Sequence, residues 1–194
     1  MAAGLPLPFE YYIAQGIRWI QPGIWKTMYE LRSRDGTVIA TFTQPRPGSA
    51  QAEVIEPDGT RWTLRRKGVL RRQVIIQRGG EPLNVVFRYR TFSDNGALHL
   101  PDGRVYRWQA GDFYESSWAW LAESDQFLGG FYADGRLIYN ADLAPAPIAA
   151  NVPALPLMTY LGWYLVVLHD RERKAIRTNA TAGHGLTKVE STEW

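Results

Sequence analysis

Tight-turn dipeptides recur at short intervals along this chain of 194 residues and separate short runs of β-forming residues. Aspartate–glycine, asparagine–glycine and glycine–glycine pairs tolerate the positive φ angles that two-residue hairpin turns require. The pairs are Asp35-Gly36, Asp58-Gly59, Gly79-Gly80, Asn95-Gly96, Asp102-Gly103 and Asp134-Gly135. Because such short connections join the runs, each strand is expected to pair with its neighbour in sequence, as in a meander.

The runs between the turns predict about eleven or twelve strands. They cover residues 27–34, 37–43, 52–56, 61–66, 73–77, 83–89, 97–100 and 105–108, with about three more strands in 114–122 and 127–140. A meander of this size has two unpaired edges unless it closes into a barrel. We therefore predict a mostly β fold: a closed antiparallel meander barrel of about twelve strands. Residues 9–20 are compatible with either a helix or a strand.

The C-terminal part of the chain contains a segment that suits the inside of such a barrel. Eight strands already enclose an interior that side chains just fill, so a wider barrel needs additional filling. Residues 157–168 are apolar around a whole helical circumference, and such a helix must be buried on all sides. The prolines upstream confine the helix to about 154–168. That length, roughly 22 Å, is short of the roughly 30 Å hydrocarbon layer, so we expect a helix in the lumen and no membrane span.

The predicted barrel comprises one domain, residues 1–177, followed by a flexible tail over 178–194. The first residues lack the basic segment that opens a secretory signal. A cytoplasmic protein is therefore expected, located at the membrane periphery if the barrel contacts lipid.

A meander barrel that ends in the helix Leu161-Gly162-Trp163-Tyr164-Leu165-Val166-Val167-Leu168 resembles the tubby-like superfamily. This superfamily includes the tubby proteins, the LURP-one-related proteins and the phospholipid scramblases. Two further segments, Tyr29-Glu30-Leu31 with its Asp35-Gly36 turn and the hairpin over 100–106, look like LURP-one-related elements. The likeness covers roughly residues 20–175. It implies a barrel with a central helix and, from the tubby proteins, binding of phosphoinositide headgroups through basic residues on the barrel surface.

Positive charge is concentrated in the middle of the sequence. Residues 61–90 contain nine basic side chains and one acid, Glu81. On adjacent strands, these residues would produce a positive surface that attracts phosphates, anionic lipid or an acidic protein. The predicted anion-binding and lipid-binding residues are Arg65, Arg66, Lys67, Arg71 and Arg72. Nucleic acid is disfavoured, because Trp62 alternates with the basic residues and is expected to point inward.

The sequence contains no recognised catalytic, cofactor-binding or metal-binding motif. The chain has no cysteine, which excludes thiol catalysis and cysteine-ligated metals. His99, His169 and His184 are scattered, and no phosphate loop, dinucleotide fingerprint or nucleophile elbow is present. Scramblases have a calcium-linked acidic segment before the helix. Here that region contains only Asp134, Asn140 and Asp142, which are too few for a calcium loop.

The sequence therefore predicts a non-enzymatic binding or scaffold module, and it leaves two alternatives. Gly23-Ile24-Trp25 matches the short opening motif of lipocalin-type barrels, which would make the protein a carrier of a small apolar ligand in an open lumen. The other alternative is an enzyme that uses the acidic segment 112–142. The acids in that segment are Asp112, Glu115, Glu123, Asp125, Asp134 and Asp142.

Overall fold

The computed structural model describes residues 8–23, 27–46, 49–69, 72–91, 93–110, 117–134 and 140–183, without the side chains at 133, 134, 140 and 176–183. Within these ranges, twelve strands form one closed antiparallel barrel. They are β1 (Ile17–Ile20), β2 (Met28–Ser33), β3 (Val38–Thr43), β4 (Gln51–Ile55), β5 (Arg61–Lys67), β6 (Gln73–Arg78), β7 (Glu81–Tyr89), β8 (Gly96–His99), β9 (Val105–Ala110), β10 (Ser117–Ala122), β11 (Phe127–Asp134) and β12 (Asn140–Pro145). The predicted mostly β barrel is confirmed.

The first strand closes the barrel by pairing with both of its neighbours. Ile17 lies opposite Ser33 on β2 and opposite Leu143 on β12. All other pairs join strands that are consecutive in sequence, so the sheet is the predicted meander. Closure leaves none of the twelve described strands with an unpaired edge.

Side chains alternate between the lumen and the outer surface along each strand, as the pleat requires. On β5, Trp62 and Leu64 are buried in the interior, whereas Arg61 and Arg65 are exposed outside. The inward positions of the other strands are filled mostly by apolar side chains in the same way. The short hydrophobic runs of the sequence thus supply one continuous inner wall.

Residues 9–20 contain both of the elements that the sequence left open. Helix α1 (Phe9–Gln15) comes first and β1 follows it directly. The residue between them, Gly16, has a φ of 87°, which favours glycine because it has no Cβ. The chain can therefore reverse from helix to strand within one residue.

A second helix, α2 (Leu155–Gly183), follows a short 3-10 helix over Pro147–Asn151 and passes through the lumen. All residues from 157 to 168 are buried, around the whole circumference of the helix. Trp163 stacks on Trp19 of β1 with ring centroids 5.5 Å apart, and on the other side Trp120 Nε1 of β10 donates to the Met158 carbonyl at 2.9 Å. The predicted lumenal helix is confirmed.

The helix is longer than the sequence analysis predicted. We expected it to end near residue 168, where charged residues begin, and a flexible tail to start at 178. The helix instead continues to Gly183. Residues 169–182 contain no glycine or proline, and a change from apolar to charged side chains ends burial without ending helical structure. Residues 184–194 lie outside the described part of the chain.

The two ends of the barrel differ in what closes them. At the turn end, α1 covers the start of α2, and Phe9 packs edge-on against Tyr160 with centroids 6.1 Å apart. The tight turns that follow β2, β4, β6, β8 and β10 lie at this end. At the opposite end, here called the mouth, α2 leaves the lumen among the loops that follow β3, β5 and β7.

Candidate anion-binding face

The five predicted anion-binding residues do not all lie on the same side of the barrel wall. Arg65 and Lys67 point outward from β5 and are exposed, whereas Arg66 points inward at the mouth. Arg72, just before β6, is also only partly exposed and turns toward the mouth. Arg71 lies outside the described residues. The five residues therefore do not share one surface, because consecutive residues of a strand face opposite sides of the sheet.

Arg66 and Arg72 belong to a group of side chains joined by ion pairs and polar contacts, here called the mouth cluster: Arg66, Arg72, Asp94, His169 and Glu172. Arg66 Nη1 donates to Glu172 Oε1, and Arg72 Nη1 lies 3.5 Å from Glu172 Oε2. His169 Nδ1 lies 2.9 Å from Asp94 Oδ2. Hydrogen bonding to His169 lowers the pKa of Asp94, even though partial burial opposes this shift. These contacts attach α2 to the barrel wall where it emerges.

Other polar contacts at the mouth join α2 to the β3–β4 connection. The Tyr164 hydroxyl donates to the Ala50 carbonyl at 2.6 Å and accepts from the Arg66 amide at 2.9 Å. Arg171 Nη1 donates to the Ser49 carbonyl at 3.1 Å. These hydrogen bonds give partners to the Tyr164 hydroxyl, the Arg66 amide and the Arg171 guanidinium, which lowers the cost of burying them.

Two basic residues that were not among the predicted site residues complete the outer surface. Arg88 on β7 and Arg90 just after it are exposed on the outer surface, whereas Phe87 and Tyr89, which alternate with them, are turned inward. Lys67 lies opposite Gln73 on β6, and Gln73 lies opposite Arg88 on β7. The alternation of aromatic and basic residues over 87–90 was visible in the sequence and could have identified Arg88 and Arg90.

We call the surface formed by Arg65, Lys67, Arg88 and Arg90 the basic face. All four side chains are exposed. Among the described residues, no carboxylate lies within ion-pair distance of any of them. By contrast, Arg61 on the same strand has a partner in Glu53 at 2.6 Å. The basic face thus carries positive charge that the described part of the protein does not neutralise by direct contact.

An exposed apolar side chain lies at the mouth beside this face. Val69, two residues beyond Lys67, is 90 % exposed, more than any other large hydrophobic side chain in the described ranges. Gly68 between them has a φ of 81°. The left-handed backbone at Gly68 turns the chain away from β5 and leaves Val69 in solvent.

The acids of segment 112–142 that the structure describes do not lie together in one site. Asp142 points outward from β12 and accepts two hydrogen bonds from Arg18 of β1, at 2.6 and 2.8 Å. Glu123 and Asp125 lie in the turn between β10 and β11, at the turn end. Asp112 and Glu115 lie outside the described residues, and so does the side chain of Asp134. The described acids of this segment are therefore separated on two different parts of the surface.

The carrier alternative depends on an open lumen, and α2 occupies that space. Gly162 lies so close to β11 that an added Cβ would be 2.4 Å from the Phe131 ring. Two of the three residues of the lipocalin-like motif, Ile24 and Trp25, lie outside the described part of the chain. The geometry of the lumen therefore gives no support to binding of a small ligand there.

No group of three or more acidic or histidine side chains in the described ranges is arranged to hold a metal ion. None of the helices in these ranges combines the length and apolar character needed to cross a bilayer.

Comparison with known proteins supports the architecture and adds no activity. No model of a known protein family matches this sequence, and no curated protein matches it. The fold is similar to that of a protein from Arabidopsis thaliana whose X-ray structure is known. The match has a TM-score of 0.52 and 19 % sequence identity, and it covers 88 % of this chain and 99 % of the other. At this identity the similarity concerns the fold alone.

Proposed function

We propose that this protein is a non-enzymatic binding module that attaches peripherally to anionic phospholipid surfaces through its basic face. The single observation that carries the proposal is the group of four exposed cations without described carboxylate partners. The inner basic residues, Arg66 and Arg72, have a structural role in the mouth cluster instead. The proposed lipid-binding residues are therefore Arg65, Lys67, Arg88 and Arg90.

The exposed valine favours a bilayer over a soluble acidic protein as the partner. Lys67 and Val69 place a cation and an apolar side chain side by side at the mouth. A bilayer surface offers anionic headgroups and, a few ångströms deeper, hydrocarbon, so it can accept both groups at once. An acidic protein surface could form ion pairs with Lys67, but it would not in general offer an apolar environment for Val69.

The expected affinity is modest. Each basic residue near an anionic leaflet contributes about 1 kcal/mol, so the four residues together contribute of the order of 4 kcal/mol. Partial burial of one valine side chain adds about 1 kcal/mol more. Binding of this strength is reversible and depends on the anionic lipid content and on ionic strength.

We also propose that the chain belongs to the tubby-like superfamily. The features that support this are the closed meander barrel of twelve strands and the apolar helix through its lumen, the architecture that the resemblance implies. Lipid contact through basic barrel residues is consistent with the same assignment. The cytoplasmic location stays a prediction from the sequence.

Vesicle co-sedimentation tests the lipid proposal directly. The wild-type chain is expected to sediment with phosphatidylcholine vesicles that contain phosphatidylglycerol and to stay in solution with pure phosphatidylcholine. A variant in which Arg65, Lys67, Arg88 and Arg90 are all replaced by Ser should lose most of the binding. Its target residues leave the mouth cluster intact, so its melting temperature should stay close to that of the wild type.

The matched control removes the same charge from exposed arginines nearer the turn end. In this variant, Ser replaces Arg34, Arg61, Arg78 and Arg104. We expect it to retain most of the wild-type binding. Equal loss of binding in the two variants would mean that net charge alone determines association, and it would contradict the proposed face. Absence of wild-type binding to anionic vesicles would contradict the function itself.

A further inference from the structure

A groove of about 400 Å³ crosses the outer surface of β7, β8 and β9 beside the basic face. Three arginines line it: Arg88 and Arg90 on or just after β7, and Arg107 on β9. The groove thus has three guanidinium groups around a space the size of a small ligand, although only Arg88 and Arg90 belong to the face described above.

Cross-strand register explains why there is a space between these side chains. Arg88 lies opposite Ala97 on β8, and Ala97 lies opposite Arg107 on β9. Neighbouring strands are about 4.8 Å apart, so the two arginines leave the sheet about 10 Å from each other with only a methyl group between them. Long, planar guanidinium groups on both sides can close on one anion above Ala97.

One carboxylate, that of Asp125 in the turn between β10 and β11, also lines the groove and is ion-paired with Arg107. Asp125 has a φ of 65°, the left-handed conformation that aspartate and asparagine tolerate better than most residues. Its amide donates to the Ala122 carbonyl at 3.0 Å, which holds the turn in position. Against three arginines, this single carboxylate leaves the groove with a net positive charge.

We propose that this groove binds the phosphate monoester group of a small ligand, which displaces Asp125 from Arg107. Arginine recognises phosphate through paired, charge-assisted hydrogen bonds. A monoester carries close to two negative charges at neutral pH, whereas a phosphodiester carries one. A site with three guanidinium groups is therefore expected to prefer the monoester.

This inference deepens the proposed function and rests on it for the case in which the ligand is a lipid headgroup. A soluble phosphorylated metabolite carries the same phosphate monoester group as such a headgroup. Phosphatidic acid and glycerol phosphate represent the two sources, and phosphatidylglycerol and dimethyl phosphate are the corresponding diesters. Binding of the soluble monoester alone would assign the site to a metabolite, and binding of both would allow either source.

Titration of the full chain with glycerol phosphate, followed by the amide resonances of β7–β9, tests the site itself. We expect saturable binding that is stronger than that of dimethyl phosphate. Arg107→Gln should weaken it about tenfold, the usual effect of losing a hydrogen bond between charged groups. Asp125→Asn keeps the turn and removes the competing charge, so it should tighten binding about threefold or more.

The matched control is Arg61→Gln, which removes another arginine that is exposed and ion-paired with a carboxylate. We expect this change to leave glycerol phosphate binding unchanged. Equal weakening by Arg61→Gln and Arg107→Gln would overturn the assignment, as would a wild-type chain that shows no preference for the monoester. Unchanged or weaker binding in Asp125→Asn would overturn the displacement of Asp125.

The vesicle arm separates this inference from the proposed function. With phosphatidylglycerol vesicles, Arg107→Gln should bind like the wild type, whereas with phosphatidic acid it should lose the extra affinity. Failure of all vesicle binding, with glycerol phosphate binding intact, would contradict the proposed lipid function and leave the groove as a site for a soluble phosphate. Vesicle binding with no preference for either lipid, together with no saturable binding of glycerol phosphate, would contradict the phosphate site in the groove. The proposed lipid function would then still hold.

Discussion

Gly162 shows how closely the lumenal helix fits the barrel. A glycine inside a helix costs about 1 kcal/mol relative to alanine, so its presence in the middle of α2 needs a compensating reason. The reason is space: an added Cβ would lie 2.4 Å from the Phe131 ring and 2.9 Å from Trp120 Nε1. The glycine thus lets two aromatic side chains of the wall contact the helix backbone.

We expect Gly162→Ala to lower the free energy of unfolding by about 1–3 kcal/mol, the cost of overpacking a dense core. The gain in helix propensity offsets only part of this cost. Urea denaturation monitored by tryptophan fluorescence measures the change. Combining Gly162→Ala with Phe131→Leu should recover part of the loss, because the smaller side chain makes room. If Gly162→Ala alone were more stable than the wild type, the close fit between α2 and the barrel wall would be contradicted.

Three consecutive basic residues also show that residue type does not determine role. Arg65 and Lys67 are exposed on the outer surface, whereas Arg66 between them contacts Glu172 of α2. Replacing all three residues together would remove part of the mouth cluster as well as the lipid contacts. For that reason, the lipid-binding variants described above leave Arg66 unchanged.

Among the elements, α2 has two parts with different surroundings. Residues 157–168 are buried in the lumen, and residues 169–172 contact the rim of the mouth through side chains of both charges. The buried part also contains two tyrosines whose hydroxyl groups bond to the wall. Tyr160 donates to Glu56 at 2.8 Å, and Tyr164 donates to the Ala50 carbonyl at 2.6 Å. Both hydroxyl groups must stay protonated to donate.

These tyrosines predict a loss of stability in alkaline solution. Burial raises the pKa of Tyr164 to about 12, and it raises the pKa of Tyr160 and of Tyr89 as well. In an unfolded chain, tyrosine titrates near pH 10. The folded state therefore holds these protons more tightly, and the stabilisation is complete below about pH 10 and declines as the pH rises through the folded pKa. By pH 12, Tyr164 alone should account for a loss of about 2 kcal/mol.

Denaturation midpoints measured between pH 8 and pH 12 test this expectation. The Tyr164→Phe variant should be less stable than the wild type at pH 8, because two hydrogen bonds are missing, and its stability should fall less steeply above pH 10. Tyr132→Phe is the control, since Tyr132 is 51 % exposed on the outer surface. An identical slope in Tyr164→Phe and the wild type would contradict the role of this hydroxyl.

The whole molecule is polarised along the barrel axis. Each tight turn at the turn end contains or adjoins a carboxylate: Asp35, Asp58, Glu81, Asp102 and Asp125. At the mouth, the described carboxylates Asp94, Asp170 and Glu172 all have basic partners. Lys67 and Arg90 are exposed at the same end without a described carboxylate partner. At the turn end, the exposed residues Arg34, Arg61, Arg78 and Arg104 lie among these carboxylates and offset their charge. An anionic surface should therefore attract the mouth more strongly than the turn end.

The absence of cysteine allows this orientation to be tested with single labels. A polarity-sensitive fluorophore at Val69→Cys should shift to the blue when anionic vesicles are added, because the label enters the interfacial region. The same fluorophore at Pro101→Cys, an exposed position at the turn end, should not shift. Raising the salt concentration should reverse the shift at Val69→Cys. Equal shifts at both positions would contradict the proposed orientation.

Local patterns were sufficient to predict much of the barrel. The repeated turn dipeptides and the alternation on β5 depend on neighbouring residues only, and so does the apolar circumference over 157–168. These features determine strand, turn and buried helix before any long-range contact forms. The end of α2 was mispredicted for the same reason, because local apolar character indicates burial and does not indicate where a helix ends.

The sequence by itself determined a closed meander with an apolar helix to fill it, since hydrogen-bonded edges and a wide lumen leave few other arrangements. Only the tertiary structure decided how the charges are used. Arg66 and Glu172 are 106 positions apart and become partners because α2 leaves the barrel beside β5. Arg88 and Arg107 flank one groove because Ala97 lies between them in the closed sheet. Such neighbours depend on register and closure, which bring together residues that no local pattern connects.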